Sequence, residues 1–426
     1  FVGYSKKTVP VNGQSSINVA LVEDVFGLDE VVVTGYGVQK KSDLTGAVSS
    51  ISSETLNKMP VATLDQALQG QAAGVNITQK SGRPGEAVDI QIRGVSSING
   101  TQPLVIIDGV AGDINLLNPA DIASIEVLKD ASSAAIYGAT GGNGVILVTT
   151  KKGSSGKITT SINAYRGIES SIGKLELMNA QEYMAMNEEV DYKGKITAGI
   201  NSRPDTLETF DWQEYVFEPA MSQNYDVAIS GGNEYSSFMI SSSYSDQEGI
   251  IRNSDYQRFT FRINTEQKLS KRLTFDQKIS FVSTTANGLE EWKWHQYYFN
   301  PLYATMIMDP TVKPYDSEGN WGKSNFSTVN PLVNLDMIDK VMKDNTFEGN
   351  FGLKVNILKG LDFSTRFSGR LGFSGDKEYQ GLYFATPTDN RTTDKLIQTM
   401  DRNISWTTQN ILNYQTTIAD AHNISL

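Results

Sequence analysis

Phe347-Glu348-Gly349-Asn350-Phe351-Gly352-Leu353-Lys354-Val355-Asn356-Ile357 separates by parity: Phe347, Phe351, Leu353, Val355 and Ile357 on one side, Glu348, Asn350, Gly352, Lys354 and Asn356 on the other. That is the period of a strand whose two faces meet different surroundings. Leu358–Gly360 breaks the run as a tight turn, and alternation resumes at once. Leu361, Phe363, Phe367, Leu371 and Phe373 now oppose Asp362, Ser364, Arg366, Ser368 and Arg370. The two runs predict a hairpin of long antiparallel strands.

The pattern extends in both directions. Upstream lie Ile158, Ile162, Ala164 and Ile168; Tyr225, Val227 and Ile229; Phe238, Ile240 and Tyr244; Phe259 to Ile263; and Leu273, Phe275, Gln277, Ile279 and Phe281. Downstream, Ile404, Trp406, Leu412 and Tyr414 mark an eighth strand, and His422 to Leu426 begins another. The connections alternate in length. Gly231-Gly232, Leu269–Arg272, Leu358–Gly360 and Ile418–Asp420 are tight, whereas about 171–221, 246–256, 284–344 and 374–400 are longer. A soluble sandwich alternates too, but its strands average about 5–6 residues. A transmembrane antiparallel β-barrel needs about 9–11 residues per crossing, with short turns in the periplasm and long loops outside. The barrel is the expected fold. Lipid-facing cations would cost about 2–4 kcal/mol each at the midplane, so Arg258, Arg262, Lys354, Arg366 and Arg370 are expected in a wet lumen.

Composition removes most other classes. The 426 residues contain no Cys and two His, His295 and His422, which excludes thiol chemistry and leaves little for a triad or a His metal site. With 37 Lys+Arg against 48 Asp+Glu the net charge is −11, which disfavours nucleic acid. No run of about 18 apolar residues could cross a bilayer as a helix. No cofactor is implied, and no catalytic residue or metal ligand set can be named.

Residues 38–152 read differently, as a small α+β domain. Ala62–Leu68 is helix-like, Ala87–Arg93, Leu104–Ile107 and Ser124–Lys129 are strand-like, and Asn118–Ile122 is helical or turn-rich. Asp108-Gly109 reads as a turn rather than a catalytic acid. Gly138–Gly144 lacks the Lys-Ser/Thr ending of a phosphate loop and runs into a strand, so nucleotide binding is rejected.

The order and spacing of several segments closely resemble the SusC/RagA-type TonB-dependent outer-membrane transporters. They are Leu28 to Gly37 with Lys40 to Val48, Ile92-Arg93-Gly94, Pro103 to Val110, Ile122 to Asp130, Ala134 to Ala139 and Gly144 to Lys151. The likeness implies a plug domain at 38–152 carrying Arg93, Gly94, Asp108, Gly109, Glu126, Tyr137 and Gly138. It implies a TonB box at 28–37, with Asp29, Glu30, Val31, Val32, Val33, Thr34, Gly35 and Tyr36 binding TonB. Residues 153–426 would be the N-terminal part of a plugged barrel of about 22 strands, of which this chain supplies eight and the start of a ninth. Residues 1–27 resemble the end of a carboxypeptidase-regulatory-like β domain, and both ends are expected to be cuts in a longer chain, with any signal peptide upstream or already removed.

Implied by the same resemblance are location in the bacterial outer membrane, surrounded by its lipid, and uptake of an oligosaccharide or oligopeptide. Partners would be TonB with ExbB and ExbD, and a SusD-like surface lipoprotein. From the residues alone, Asp29–Thr34 is an extended β-branched segment without a neighbouring hairpin partner, suited to adding a strand to a partner's sheet edge. Aromatics at Trp292, Trp294, Tyr297, Tyr298 and Trp321 could stack on sugar rings or peptide side chains, or pack the loop itself. A glycosidase pair among Glu188, Glu189, Asp191, Glu290 and Glu291 is disfavoured, because charged loop residues are usually solvated. Asp316 to Asn320 has oxygen-ligand character without EF-hand spacing. The competing reading is a barrel for assembly, adhesion or secretion that does not import.

Overall fold

The computed structural model describes residues 31–34, 37–40, 48–56, 63–79, 81–94, 102–190, 208–288, 300–323, 330–384, 390–418 and 422–425. The β-domain remnant expected at 1–27 lies outside them.

Two short strands come first, β1 (Val31–Thr34) and β2 (Gly37–Lys40), paired antiparallel. The expectation of a strand without a hairpin partner is therefore corrected: Val33 pairs with Val38 in the antiparallel register. The plug follows, with β3 (Val48–Ser52), β4 (Val75–Gln79), β5 (Val88–Ile92), β6 (Leu104–Ile107), β7 (Val110–Ala111), β8 (Ile122–Leu128) and β9 (Val145–Thr150). Its five-stranded sheet runs in the order β3-β8-β9-β6-β7, with only β6 and β9 parallel, and β4–β5 forms a separate hairpin. The central strands β8 and β9 are mostly buried, and on β9 Val145 to Val148 form a continuous apolar run. Ile51, Leu56, Leu64, Ile90, Ile125 and Ile146 close the main core.

Among the described residues the wall is a nine-stranded antiparallel meander in which each strand pairs the next wall strand along the chain. Its long strands are β10 (Gly156–Glu169), β11 (Ala220–Gly232), β12 (Ser236–Glu248), β13 (Asp255–Lys268), β14 (Leu273–Asn287), β15 (Ile338–Leu358) and β16 (Leu361–Gln380). A small loop hairpin, β17 (Tyr383–Phe384) with β18 (Asn390–Arg391), precedes β19 (Lys395–Ile418) and β20 (His422–Ser425). The wall is amphipathic in the inverted sense. On β13, Arg258, Thr260, Arg262 and Asn264 are buried against the plug, whereas Phe259 on the other parity is exposed. Ile162, Val227, Ile240, Ile279, Phe347 and Phe351 are exposed likewise. A sandwich buries its apolar parity, so this polarity selects the membrane barrel.

Three connections are clearly shorter than expected, 249–254, 288–337 and 381–394. β15, β16 and β19 continue beyond the apolar band, where Lys340 pairs with Glu378 and Val341 with Lys377. Polar and apolar residues are mixed on both faces there, so the period is lost while the backbone ladder persists. The 284–344 connection also holds two helices, Pro301–Ile307 and Pro331–Met337, capped by Asn300 and Asn330. Asn at the cap with Pro at the first helical position was a readable start signal. No described helix is long and apolar enough to cross a membrane.

Candidate functional site

The plug meets the wall through polar groups at three places. The Asp108-Gly109 turn joins β6 to β7, and both residues have positive φ, 52° and 88°, as a two-residue type I′ turn requires. The turn points the Asp108 carboxylate at the wall. There it accepts from the Thr150 amide at 3.0 Å and hydroxyl at 2.6 Å, and pairs with Lys278 on β14 at 2.9 Å. Burial pushes this carboxyl up, but the Lys278 ammonium and the Thr150 hydrogen bonds more than offset it and hold the pKa at about 2. Arg366 on β16 donates to the Asp108 carbonyl at 2.7 Å, and a Cβ at Gly109 would lie 2.7 Å from that same guanidinium nitrogen.

The second junction is the 115–121 segment. Arg258 donates to the Asn115 and Leu117 carbonyls at 2.8 and 3.0 Å. Asn118 donates to Asp226 on β11 at 3.0 Å, while its own side-chain oxygen caps Ala120. Asp121 faces Arg262 at 3.4 Å; burial raises its pKa, and the guanidinium offsets only part of that. At the third junction Asn264 donates to the Thr150 hydroxyl and the Lys151 carbonyl at 3.0 and 2.8 Å. Gly153 then passes so close to β12 that a Cβ would sit 2.2 Å from the Phe238 carbonyl oxygen. Above the second junction, on the long-loop side, a cavity of about 1030 Å³ opens between plug and wall, lined by Arg83, Glu86, Asp113, Tyr256, Asp344 and Arg370.

A domain seated by buried ion pairs and hydrogen bonds against an inverted-polarity wall is a plug, and the comparisons agree. Residues 40–145 match the family described as TonB-dependent Receptor Plug Domain. The whole chain is 36% identical to TonB-dependent receptor P26 of Formosa agariphila, covering 43% of that protein. It is 32% identical to TonB-dependent receptor SusC of Bacteroides thetaiotaomicron, over 82% of this chain and 37% of that one. The chain belongs to the SusC/RagA-type TonB-dependent transporters. Its fold matches the solved RagAB peptide importer in the 'open-open' state with a TM-score of 0.80 at 24% identity, over 93% of this chain and 48% of that one. The chain thus spans less than half the length of these relatives, and it resides in the outer membrane, as they do. The family is one of transporters and receptors, not an enzyme class.

Within this fold the expected plug residues divide by task. Asp108 and Gly109 touch the wall. The others hold the plug together: Arg93, with φ 55°, is ion-paired to Asp130 ahead of Gly94, Glu126 is buried on β8, Tyr137 packs on the small cluster of Leu128 and Val145, and Gly138 takes φ 64° at a kink. Of the residues expected to form a TonB box, Val31, Val32, Val33 and Thr34 form β1; Asp29, Glu30, Gly35 and Tyr36 lie outside the described residues. So do Trp292, Trp294, Tyr297 and Tyr298. Trp321 lies 5.0 Å from Tyr315, ring to ring, and packs on the cluster of Trp212, Val216, Met308, Leu332 and Leu335, which makes it part of a loop core. Asp316 closes a turn by accepting from the Glu318 and Asn320 amides, and the described residues contain no cluster of three metal-ligating side chains. Sequence reasoning missed Lys278, Asn118, Asp121, Asp226 and Asn264. The signal available for Lys278 and Asn264 was a polar side chain on the lumen parity, the same rule that found Arg258 and Arg262.

Proposed function

We propose that the complete protein imports a nutrient, an oligosaccharide or oligopeptide, across the outer membrane. Transport is driven through the β1 segment by TonB with ExbB and ExbD, and a SusD-like lipoprotein covers the outer face. The observation that carries this reading is the polar seat of the plug. A domain that must leave its place and return is better held by ion pairs and hydrogen bonds, which water can replace, than by an apolar interface.

The sheet order supports partial displacement. β3 is an edge strand bonded only to β8, and it follows directly on the segment that TonB would grip. A pull from upstream of Val48 peels this edge one pair at a time. The wall contacts of Asp108, Asn115 to Asp121 and Thr150-Lys151 lie on the remainder of the plug, which stays seated longer. Of the two cargo classes, the likeness to a solved peptide importer keeps oligopeptides beside oligosaccharides.

Deletion of Asp29–Tyr36 tests the reading. Cells carrying the deletion should lose uptake of labelled oligosaccharide or oligopeptide while the purified protein binds the same cargo unchanged. Binding lost in parallel with uptake would refute the role of this segment.

A further inference from the structure

The membrane-facing side of β15, β16 and β19 carries a pattern that neither the plug nor import uses. Strand register arranges its side chains in rows. Gly349, Gly369 and Trp406 are partners across the three strands, and Ile279 on β14 completes that row. The flanking rows are Phe347, Leu371 and Ile404 on one side, and Phe351, Phe367 and Thr408 on the other. Two adjacent positions without side chains leave a notch in an apolar wall. The result is a groove of about 680 Å³ bounded by Phe347, Phe351, Phe367, Leu371, Ile404 and Trp406. The Phe351 ring edge stands 3.0 Å from where a Gly349 Cβ would be, so even one added carbon would displace it.

Toward the long-loop side the chemistry of the same face changes. The next rows are Ser283-Asn345-Phe373-Arg402, Thr285-Lys343-Gly375-Met400 and Asn287-Val341-Lys377-Gln398. They hold three cations and no carboxylate, in a chain whose net charge is −11. Lys343, Lys377 and Arg402 are exposed, and none forms an ion pair among the described residues. They stand four to eight residues along the strands from the glycine row. At about 3.4 Å per residue and a tilt near 45°, that is about 10–20 Å toward the outer surface, the depth of one leaflet. Cations are tolerated at this level, whereas at the midplane they are not.

We propose that this face binds one phosphate-bearing lipid of net negative charge in the outer leaflet, its phosphate on Lys343, Lys377 and Arg402 and an acyl chain in the Gly349–Gly369 notch. Residence in the outer membrane makes this surface continuous with the lipid interface, and three unpaired cations complement a phosphate. A protein partner would need about 800 Å² of fitted surface, far more than one narrow notch provides. A free anion has no use for the notch. The proposal rests on membrane location and strand register, and it stands or falls independently of the imported cargo.

The test uses the full-length protein, extracted from its own outer membrane in mild detergent, stripped of lipid and titrated with phosphatidylglycerol or phosphatidylcholine of identical chains. Native mass spectrometry reads the adducts. Phosphatidylglycerol should be retained about tenfold better, and the triple change Lys343→Gln, Lys377→Gln, Arg402→Gln should erase that preference. Gly349→Val with Gly369→Val should weaken retention of both lipids. Phosphatidylglycerol with brominated chains should quench fluorescence in the wild type more than in Trp406→Phe. Equal retention of the two lipids by the wild type would overturn the proposal, as would an unaffected triple variant, displacement of the lipid by equimolar inorganic phosphate, or occupation of the face by a second copy. Should the glycine variant fail to assemble, the surface triple variant and the Trp406 quenching decide the question.

Discussion

Replacing Asp108 by Asn should loosen the seat of the plug at one of its two buried ion pairs with the wall. The carboxylate's pKa of about 2, against an ordinary 3.8, corresponds to about 2 kcal/mol of stability at neutral pH. The substitution also strands Lys278, whose side chain is 11% exposed, without its counter-ion. Breaking a buried pair from one side costs about 3–5 kcal/mol, and Asn retains an oxygen for the Thr150 amide, so about 3 kcal/mol is expected. Amides of β6, β7 and β9 should then exchange hydrogen about 100-fold faster, after correction for intrinsic rates, while wall amides keep their protection. The sign with pH follows from the depressed value. The contribution is fully present above about pH 4 and is lost as pH falls through 2, so wild-type protection should hold from pH 8 to 5 and decline only below 4. Asp108→Leu combined with Lys278→Met should recover most of the loss, because an apolar pair leaves no buried charge. Equal protection in the wild type and Asp108→Asn would refute the reasoning.

Asp121→Asn should cost less in the same exchange experiment, since burial already raises this carboxyl and its stabilising contribution declines as pH rises; a larger loss than at Asp108 would contradict that assignment. Gly153→Val places carbon against the Phe238 carbonyl, where backbone cannot yield, and should cost about 1–3 kcal/mol or more. The readout is the fraction of barrel that migrates as folded on an unheated gel, and an unchanged fraction would refute the close approach. Trp321→Ala should expose residues 300–337 to protease, at a cost of about 2 kcal/mol for a half-buried tryptophan, without altering exchange in the plug. Loss of cargo binding with loop protection intact would instead make Trp321 a ligand contact.

Much of the wall was legible because its code is short-range. Ile279 against Lys278, or Phe347 against Glu348, differ by one position, and a period of two needs only a few residues to declare itself. The Asp108-Gly109 turn was legible for the same reason, since only a few residue types accept positive φ at two consecutive positions. The upper parts of β15, β16 and β19 were hidden, because polar residues such as Lys340 and Glu378 mix with apolar ones such as Val341 and Ile397 on both faces and no periodicity survives. The β1–β2 pairing was hidden because its strands are four residues each, whereas the helices after Asn300 and Asn330 were announced by an Asn cap followed by Pro.

By itself the sequence determined which side chains face lipid and which face the lumen, because strand geometry sends alternate residues to opposite sides whatever the partner. It also determined, through the order of its plug segments, the family. Only the tertiary structure decided that Asp108 meets Lys278, that Asn118 meets Asp226, and that two glycines stand side by side on the outer wall. Those pairs are separated by up to 170 residues and are brought together by sheet order and register, and neither is a property of any local stretch of chain.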